Sequence, residues 1–433
     1  MDSKAAHGTT HPAKLIFRNA RIFDGDSAKL LEGFDVLVAG DTIEDVVETP
    51  MTAPNAPREV NSETEIVDCG GRVLMPGLID AHVHVYAAGL NLTRVAQWPM
   101  SYLAHYAAEF LHGCLDRGFT TLRDVGGADA GIAAAIRDGW LKDVPRLFYG
   151  GRVLTQTGGH GDFRPGDHAL DAAVCCGCSF HSDPMAVVAD GADAVRRAVR
   201  EELRRGASHI KIMASGGVAS PTDPLDRCQY SDDEVRAAVD EAERAGKYVA
   251  AHCHPAIAVR RAAELGVRSI EHATLVDRET AEFVAERGSF AVPTVVTLVR
   301  LAIEGPALGL PAASLEKAHR VADAAIGALA ILKSAGVKTG FGTDLLGAMH
   351  VRQSMEFTLR RQAVAEIDIL RSACTVNAEL LGQTGRLGCI RKGAAADLLV
   401  VDGNPLEDIS VLASGGQQIA AIVKDGRFHK RAL

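Results

Sequence analysis

Short apolar, β-branched segments alternate with amphipathic helical segments through most of this chain. In the helical segment 193–206, for example, Val195, Val199 and Leu203 fall on one face. Parallel strands need long crossover connections, so the alternation predicts a parallel α/β sheet, and eight repeats predict a closed (β/α)8 TIM barrel. The predicted strands cover residues 78–85, 120–125, 146–154, 209–214, 248–253, 268–273, 290–295 and 337–344.

The two ends of the chain have a different pattern. They contain short apolar strands separated by Gly and Asp turns, without helices between them, at residues 14–26, 35–46, 396–405 and 418–428. We therefore predict a small β-sandwich domain built from both ends, residues 1–72 and 381–433, beside a barrel that spans 73–380.

Composition and charge argue against several classes of protein. The net charge is −9 and no Lys/Arg-rich run is present, so we predict no nucleic-acid partner. No window approaches the roughly 20 apolar residues of a membrane span, and the first residues lack the apolar core of a secretion signal, which predicts a cytoplasmic protein. The nine cysteines do not suggest a disulfide framework, and we interpret the CCGC cluster at 175–178 as a loop with incidental thiols.

Two histidines, His82 and His84, interrupt the first predicted strand. Side chains two residues apart on a strand face the same side, and two neutral imidazoles are costly to bury unless a cation accepts their lone pairs. Imidazole is a preferred ligand of Zn²⁺, and barrel active sites lie at the carboxyl ends of the strands. Further polar residues fall at such ends and complete a predicted metal site: Lys211, His252, His272 and Asp344.

Lys211 is the unusual member of this set. In the strand HIKIMA, Ile210 and Ile212 face one way, so Lys211 points into the barrel. A lysine buried there must be paired, neutral or modified. A neutral amine reacts with CO₂ to form a carbamate, an anionic oxygen ligand that can bridge two cations.

The segments DAHVHV, HIKIMASGG, AAHCH, SIEHAT and FGTD, in this order, resemble the metal-ligand set of the amidohydrolase superfamily, in its binuclear, carboxylated-lysine branch. Residues 188–218 and 229–254 are further similar to prolidase-like dipeptidases and to ochratoxin-hydrolysing amidases. The resemblance implies two divalent ions, usually zinc. His82, His84 and Asp344 would hold one, His252 and His272 the other, and a carbamate on Lys211 would bridge them. It also implies a homo-oligomer, up to an octamer.

The same resemblance implies hydrolysis of an amide bond in an N-acyl amino acid or dipeptide-like substrate with a free carboxylate. Ochratoxin A fits that description. Asp344 is the predicted catalytic acid–base, which takes a proton from the attacking water and delivers it to the departing nitrogen. A plain helix-capping role is the alternative for Asp344.

Three residues are predicted to contact the substrate. His160 lies in the Gly-rich segment TQTGGHGD, Tyr230 immediately precedes a predicted helix, and His254 is placed beyond the end of its strand. His160 and Tyr230 can equally be ordinary loop residues.

Two other functions and one purely structural interpretation stay open. A cyclic-amide hydrolase or deaminase of the imidazolonepropionase type works with one metal and lacks the lysine on the fourth strand, so Lys211 argues against it. A metal-free scaffold protein would have lost some of the six ligands. A barrel with scattered core histidines would require six coincidences at strand ends.

Overall fold

A computed structural model describes residues 14–49, 64–164, 185–220 and 223–433. The CCGC cluster at 175–178 lies outside the described residues. The strands, in chain order, are β1 Lys14–Arg18, β2 Arg21–Ile22, β3 Phe34–Ala39, β4 Thr42–Glu48, β5 Thr64–Asp68, β6 Val73–Pro76, β7 Leu78–Val83, β8 Phe119–Asp124, β9 Arg146–Tyr149, β10 Val153–Thr155, β11 Ala186–Val188, β12 Ile210–Met213, β13 Val249–Pro255, β14 Ser269–Leu275, β15 Phe290–Val292, β16 Lys338–Thr339, β17 Leu398–Val401, β18 Ile419–Lys424 and β19 Arg427–Arg431.

The helices separate most of the central strands, as the alternating pattern predicts. In chain order they are α1 Leu92–Val95, α2 Met100–Asp116, α3 Ala130–Arg137, α4 Ala192–Arg204, α5 Asp232–Arg244, α6 Ala256–Glu264, α7 Arg278–Glu286, α8 Val295–Glu304, α9 Ala312–Ser334, α10 Met355–Arg360, α11 Glu366–Arg371 and α12 Asn377–Leu380. Among the described residues, no helix combines the length and apolar composition that a membrane-spanning helix requires.

The central strands form a barrel of parallel strands. Strands β7, β8 and β9 pair in one sheet, and β10, β12, β13, β14, β15 and β16 pair in a second, with β11 beside β10. Backbone hydrogen bonds join the two sheets at both edges. Ser208 N donates to Tyr149 O at 2.8 Å, and Ala81 N donates to Phe341 O at 2.8 Å. Strands β9 and β10 therefore serve together as the third strand of the barrel.

Three of the predicted strands lose three or more residues in the structure. The third breaks at Gly151, whose φ is +73°, and an added Cβ there would lie 2.3 Å from the Glu202 carboxylate. The seventh ends at Val292, because α8 begins after Thr294. The eighth pairs with a neighbouring strand only at β16, because beyond it Phe341 N donates to Ser372 O and not to a strand.

Strands from both chain ends share one five-stranded sheet, in the order β19-β18-β17-β6-β2. A four-stranded sheet, β4-β3-β1-β5, lies against it. Their apolar faces meet in one buried cluster that includes Phe17, Val36, Leu398 and Val400. The residue limits of the predicted β domain and barrel remain a prediction.

Helix α2 is rich in apolar residues, a composition that can serve a contact between subunits. Its apolar face, which includes Leu103, Ala107 and Leu111, is buried in the core of its own chain. Met100 and Tyr102 stay exposed on it. The homo-oligomer therefore remains a prediction without support from the apolar face of this helix.

Candidate metal centre

One cavity opens at the carboxyl ends of the barrel strands. All six predicted metal ligands line it, together with two of the predicted substrate-contacting residues. The remaining lining side chains are mostly aliphatic or aromatic. The lining residues are His82, His84, Leu92, Val153, His160, Phe163, Met185, Lys211, Met213, Val218, Ala219, His252, His254, His272, Thr297, Leu298, Leu301, Asp344 and Leu346.

Three of these residues form a compact group at the base of the cavity. One ligand atom from each of His82, His84 and Asp344 lies within 4.8 Å of the others. His84 Nε2 is 3.1 Å from Asp344 Oδ1, and His82 Nε2 is 3.4 Å from the same oxygen. Although buried, His82 Nε2 makes no hydrogen bond within the described part of the chain. Two imidazole nitrogens and a carboxylate this close together, with the His82 nitrogen not hydrogen-bonded, fit the ligand set of a divalent cation.

Closure of the barrel brings Asp344 to the two histidines. The backbone N–H groups of Thr343 and Asp344 both donate to His82 O, at 3.2 and 2.8 Å. Asp344 adopts φ +52°, a left-handed conformation that costs about 1 kcal/mol or more. Burial raises the pKa of its carboxyl, but His82 and His84 outweigh that and hold the pKa well below its usual range. Asp344 is thus a carboxylate in contact with both imidazoles.

The capping alternative for Asp344 is wrong. The 3₁₀ helix that follows it begins after Leu346 and has no side-chain cap. The Asp344 carboxylate faces His82 and His84 instead.

A second group of imidazoles lies across the cavity. The rings of His252 and His272 have centroids 4.6 Å apart. His272 Nδ1 is 2.8 Å from Thr294 Oγ1, and His252 Nε2 is 3.2 Å from Gly216 O. Burial lowers the pKa of both rings well below the usual range, which keeps them neutral. A neutral imidazole held at one nitrogen leaves the other nitrogen available as a ligand.

Lys211 lies inside the barrel, where it is 1% exposed. Within the described residues, its amine makes no hydrogen bond or ion pair. Burial lowers the pKa of Lys211 to about 8. Part of this amine is therefore neutral at physiological pH, and only a neutral amine reacts with CO₂ to form a carbamate.

Beneath the histidines lies a buried charged network that the sequence analysis missed. His82 Nδ1 is 2.7 Å from Glu271 Oε2, and Arg123 Nη2 donates to both Glu271 oxygens at 2.9 Å. Burial raises the pKa of the Glu271 carboxyl, but Arg123 and His82 reverse the effect and hold the pKa well below its usual range. A signal was available, because Arg123 in the predicted strand 120–125 and Glu271 in the predicted strand 268–273 are opposite charges within strands that a barrel buries.

Asp80 is a further buried residue that the sequence patterns did not single out, although the motif DAHVHV contains it. Its Oδ1 accepts from His82 N at 3.1 Å and from Thr343 N at 3.2 Å. Its Oδ2 accepts from Thr343 Oγ1 at 2.6 Å and from Gln353 Nε2 at 2.9 Å. Asp80 therefore ties the first strand to the segment that carries Asp344.

The three predicted substrate-contacting residues differ in position. His160 lines the cavity, where its ring stacks on His252 at 4.4 Å and its Nδ1 is 3.2 Å from Asp223 Oδ2. Tyr230 does not line the cavity; it is 6% exposed in the core between α4, α5 and the barrel, and its hydroxyl makes no hydrogen bond to any described residue.

The placement of His254 beyond its strand is wrong. Strand β13 runs to Pro255, because a register shift between Cys253 and Pro255 lets the pairing with β14 continue. His254 therefore faces the cavity, where its Nδ1 is 3.0 Å from Thr274 Oγ1 and its ring stacks on His272 at 5.0 Å.

We expect Glu271→Gln to weaken metal binding about 10- to 100-fold, the range typical when a partner of a metal-ligating histidine is lost. The neutral amide cannot match the carboxylate in polarising His82, and it leaves Arg123 uncompensated. Chelator competition on the purified variant measures the effect.

The matched control is Glu202→Gln, because Glu202 is also buried and also pairs with an arginine, Arg152, at 2.7 Å. Both variants should lose thermal stability, but Glu202→Gln should keep the metal affinity of the parent. Equal metal affinity in Glu271→Gln and the parent would show that Glu271 does not support His82.

Three comparisons with known proteins all identify amidohydrolases as similar to this chain. A family model described as "Amidohydrolase family" matches residues 73–428. A curated ochratoxinase from Aspergillus niger is 33% identical over 371 residues, which cover 83% of this chain and 76% of that protein.

Two solved structures are also similar over nearly the whole chain. One is an amidohydrolase with 45% identity and a TM-score of 0.91, covering 97% of this chain and 100% of the other. The second is a prolidase in complex with N-methylphosphonate-L-proline, with 44% identity and a TM-score of 0.90, covering 96% of this chain and 100% of the other.

Proposed function

The chain belongs to the amidohydrolase family, and we propose that it is a metal-dependent hydrolase of N-acyl amino acids or dipeptide-like substrates with a free carboxylate. The observation that carries the proposal is the convergence of His82, His84 and Asp344 in one cavity with the buried amine of Lys211. This donor set suits a metal centre better than a structural core, which would pair the His82 nitrogen and the lysine internally.

The proposed centre contains two divalent ions, with zinc favoured because imidazole nitrogens dominate the donor set. His82, His84 and Asp344 would hold one ion, and His252 and His272 the other, with a carbamate on Lys211 shared between them. Ions bound there would lower the pKa of a water molecule and polarise the carbonyl group of the substrate.

Asp344 acts as the general acid–base in this proposal. Its carboxylate faces the cavity and is 20% exposed, so it is accessible to a water and to the scissile amide. It accepts the proton of the attacking water and transfers it to the departing nitrogen. Glu271 and Thr294 hold the rings of His82 and His272 in fixed orientations, which limits reorganisation during the reaction.

The cavity wall supports a substrate with an apolar part. Phe163, Met185, Val218, Leu298 and Leu301 lie around the polar base. His160 is a polar group of the cavity wall, and its pairing with Asp223 makes it a suitable partner for a substrate carbonyl or carboxylate. The related proteins named above are a prolidase and an ochratoxinase, so X-Pro dipeptides and ochratoxin A are test substrates.

Lys211 also distinguishes this proposal from the deaminase alternative. A one-metal deaminase has no use for a buried lysine amine beside the histidines, whereas a bridging carbamate requires one. The placement of Lys211 in the same cavity as the five other predicted ligands favours the binuclear amidase.

The test is metal analysis of the purified protein combined with release of free amino acid from N-acyl amino acids, X-Pro dipeptides and ochratoxin A. We expect about two zinc ions per chain and hydrolysis of at least one of these amides. Chelation should abolish turnover, and added Zn²⁺ should restore it. A single metal per chain with ammonia release from cyclic substrates would instead establish the deaminase.

A further inference from the structure

Lys317, on helix α9, reaches the loop that follows strand β12. Its Nζ lies 3.1, 2.7 and 2.5 Å from the carbonyl oxygens of Gly217, Ser220 and Asp223. An ammonium group has three N–H donors, so all three are directed at this one loop. The side chain is 15% exposed, which places most of this contact away from water.

The same loop forms one side of the cavity. Val218 and Ala219 line it. Two histidines of the cavity also contact this loop: Gly216 O is 3.2 Å from His252 Nε2, and Asp223 Oδ2 is 3.2 Å from His160 Nδ1. The position of the loop therefore determines an apolar wall and, through Asp223, the orientation of the His160 ring. Gly216, beside His252, is held separately by its backbone bond to Arg227 O.

The described part of the loop is closely packed at Gly216 and Gly217. A Cβ added at Gly216 would lie 2.1 Å from Pro224 O, and one at Gly217 would lie 2.4 Å from the His160 ring. Gly217 N also donates to Asp223 Oδ2 at 2.9 Å. Three carbonyl oxygens that converge on one point repel one another unless a cation lies between them. Lys317 supplies that cation from outside the barrel.

We propose that Lys317 is a positioning residue that sets the affinity of the cavity for the apolar part of the substrate. It does so by holding Val218 and Ala219 in the wall and Asp223 against His160. It touches neither the reacting atoms nor the metal ligands, and its carbonyl partners do not include Gly216, which contacts His252. Its loss therefore changes substrate binding and leaves the metal centre intact. The kinetic part of the test rests on the proposed amide hydrolysis.

The experiment compares Lys317→Met with Lys317→Arg and with Lys333→Met. Arginine keeps donors that can reach the carbonyl groups. Lys333 lies on the same helix but pairs with Asp368 at the surface, so its variant controls for a general effect on α9. Three quantities are measured for each: metal content, kcat and KM for an amide that the parent hydrolyses, and the rate of trypsin cleavage after Arg227.

The cleavage rate reports on the loop without any need for activity. Arg227 is exposed, but its carbonyl accepts from Gly216 N at 3.1 Å, so cleavage requires the loop to open. We expect Lys317→Met to raise this rate and KM each by about tenfold, with metal content and kcat within about twofold of the parent. Lys317→Arg should recover most of both changes, and Lys333→Met should match the parent.

Unchanged cleavage and unchanged KM in Lys317→Met would overturn the proposal. A parallel loss of metal, or an equal effect of Lys333→Met, would also overturn it, because either result indicates a general structural role. If Lys317→Met does not accumulate as folded protein, Lys317→Gln keeps one amide donor, and the same split between KM and kcat is expected from it. A parent protein that hydrolyses no amide would contradict the proposed function, and the cleavage rates alone would then decide the role of Lys317.

Discussion

Asp344→Asn is expected to lower kcat by about 10²- to 10⁴-fold while the protein keeps most of its metal. The amide oxygen of asparagine can still serve as a ligand, and His82 and His84 remain in place 3.4 and 3.1 Å from the position of Oδ1. The amide cannot accept a proton, so the transfer from water to the departing nitrogen is lost. Steady-state kinetics and metal analysis of the same preparation separate the two effects.

A matched control for this variant is Asp277→Asn. Asp277 caps helix α7 by accepting from Thr280 N, and it lies outside the cavity lining. If the role of Asp344 were merely local and structural, the two variants would lose similar stability and neither would lose kcat. Near-normal turnover in Asp344→Asn would assign the proton transfer to another group.

Lys211→Ala is expected to reduce both metal content and turnover, the latter by about 10³-fold or more, which corresponds to about 4 kcal/mol of transition-state stabilisation. The proposed bridging ligand is formed from this amine, and no other described lysine or arginine lines the cavity. Metal analysis should show fewer ions per chain than in the parent protein.

Removal of a buried side chain also leaves a space, so Lys211→Met is measured beside Lys211→Ala. Methionine keeps most of the volume and removes only the amine, so the loss of metal should be as large as in the alanine variant. A methionine variant with two metals and the rate of the parent would exclude a bridging role for Lys211.

Much of the barrel could be predicted because burial imposes periodicity on the sequence. Helix α5 begins after Ser231, whose side chain and Glu234 form a capping box, and both signals lie within four residues. Strand β12 was recognisable because Ile210 and Ile212 alternate with Lys211. Such signals depend only on neighbours along the chain.

The predicted limits of two strands were wrong because contacts with distant residues determine where those strands end. Gly150 and Gly151 divide the third strand, because the Glu202 side chain lies where a Cβ at Gly151 would be. His254 belongs to its strand because β14 continues to pair beyond the register shift. The residues next to Gly151 do not indicate its contact with Glu202. Those next to His254 do not indicate that the pairing with β14 continues.

Local patterns were sufficient to identify the residue types of the proposed site and the strands on which they lie, because hydrophobic periodicity and the paired histidines are properties of neighbouring residues. The geometry of these side chains depends on contacts between distant segments. Strict alternation would place Glu271 and His272 on opposite faces of β14, yet His272 adopts φ +69° and both reach the interior, Glu271 to His82 and His272 to the cavity. That conformation is strained, and it persists because barrel closure and the bonds from Thr294 and Arg123 hold both side chains in place.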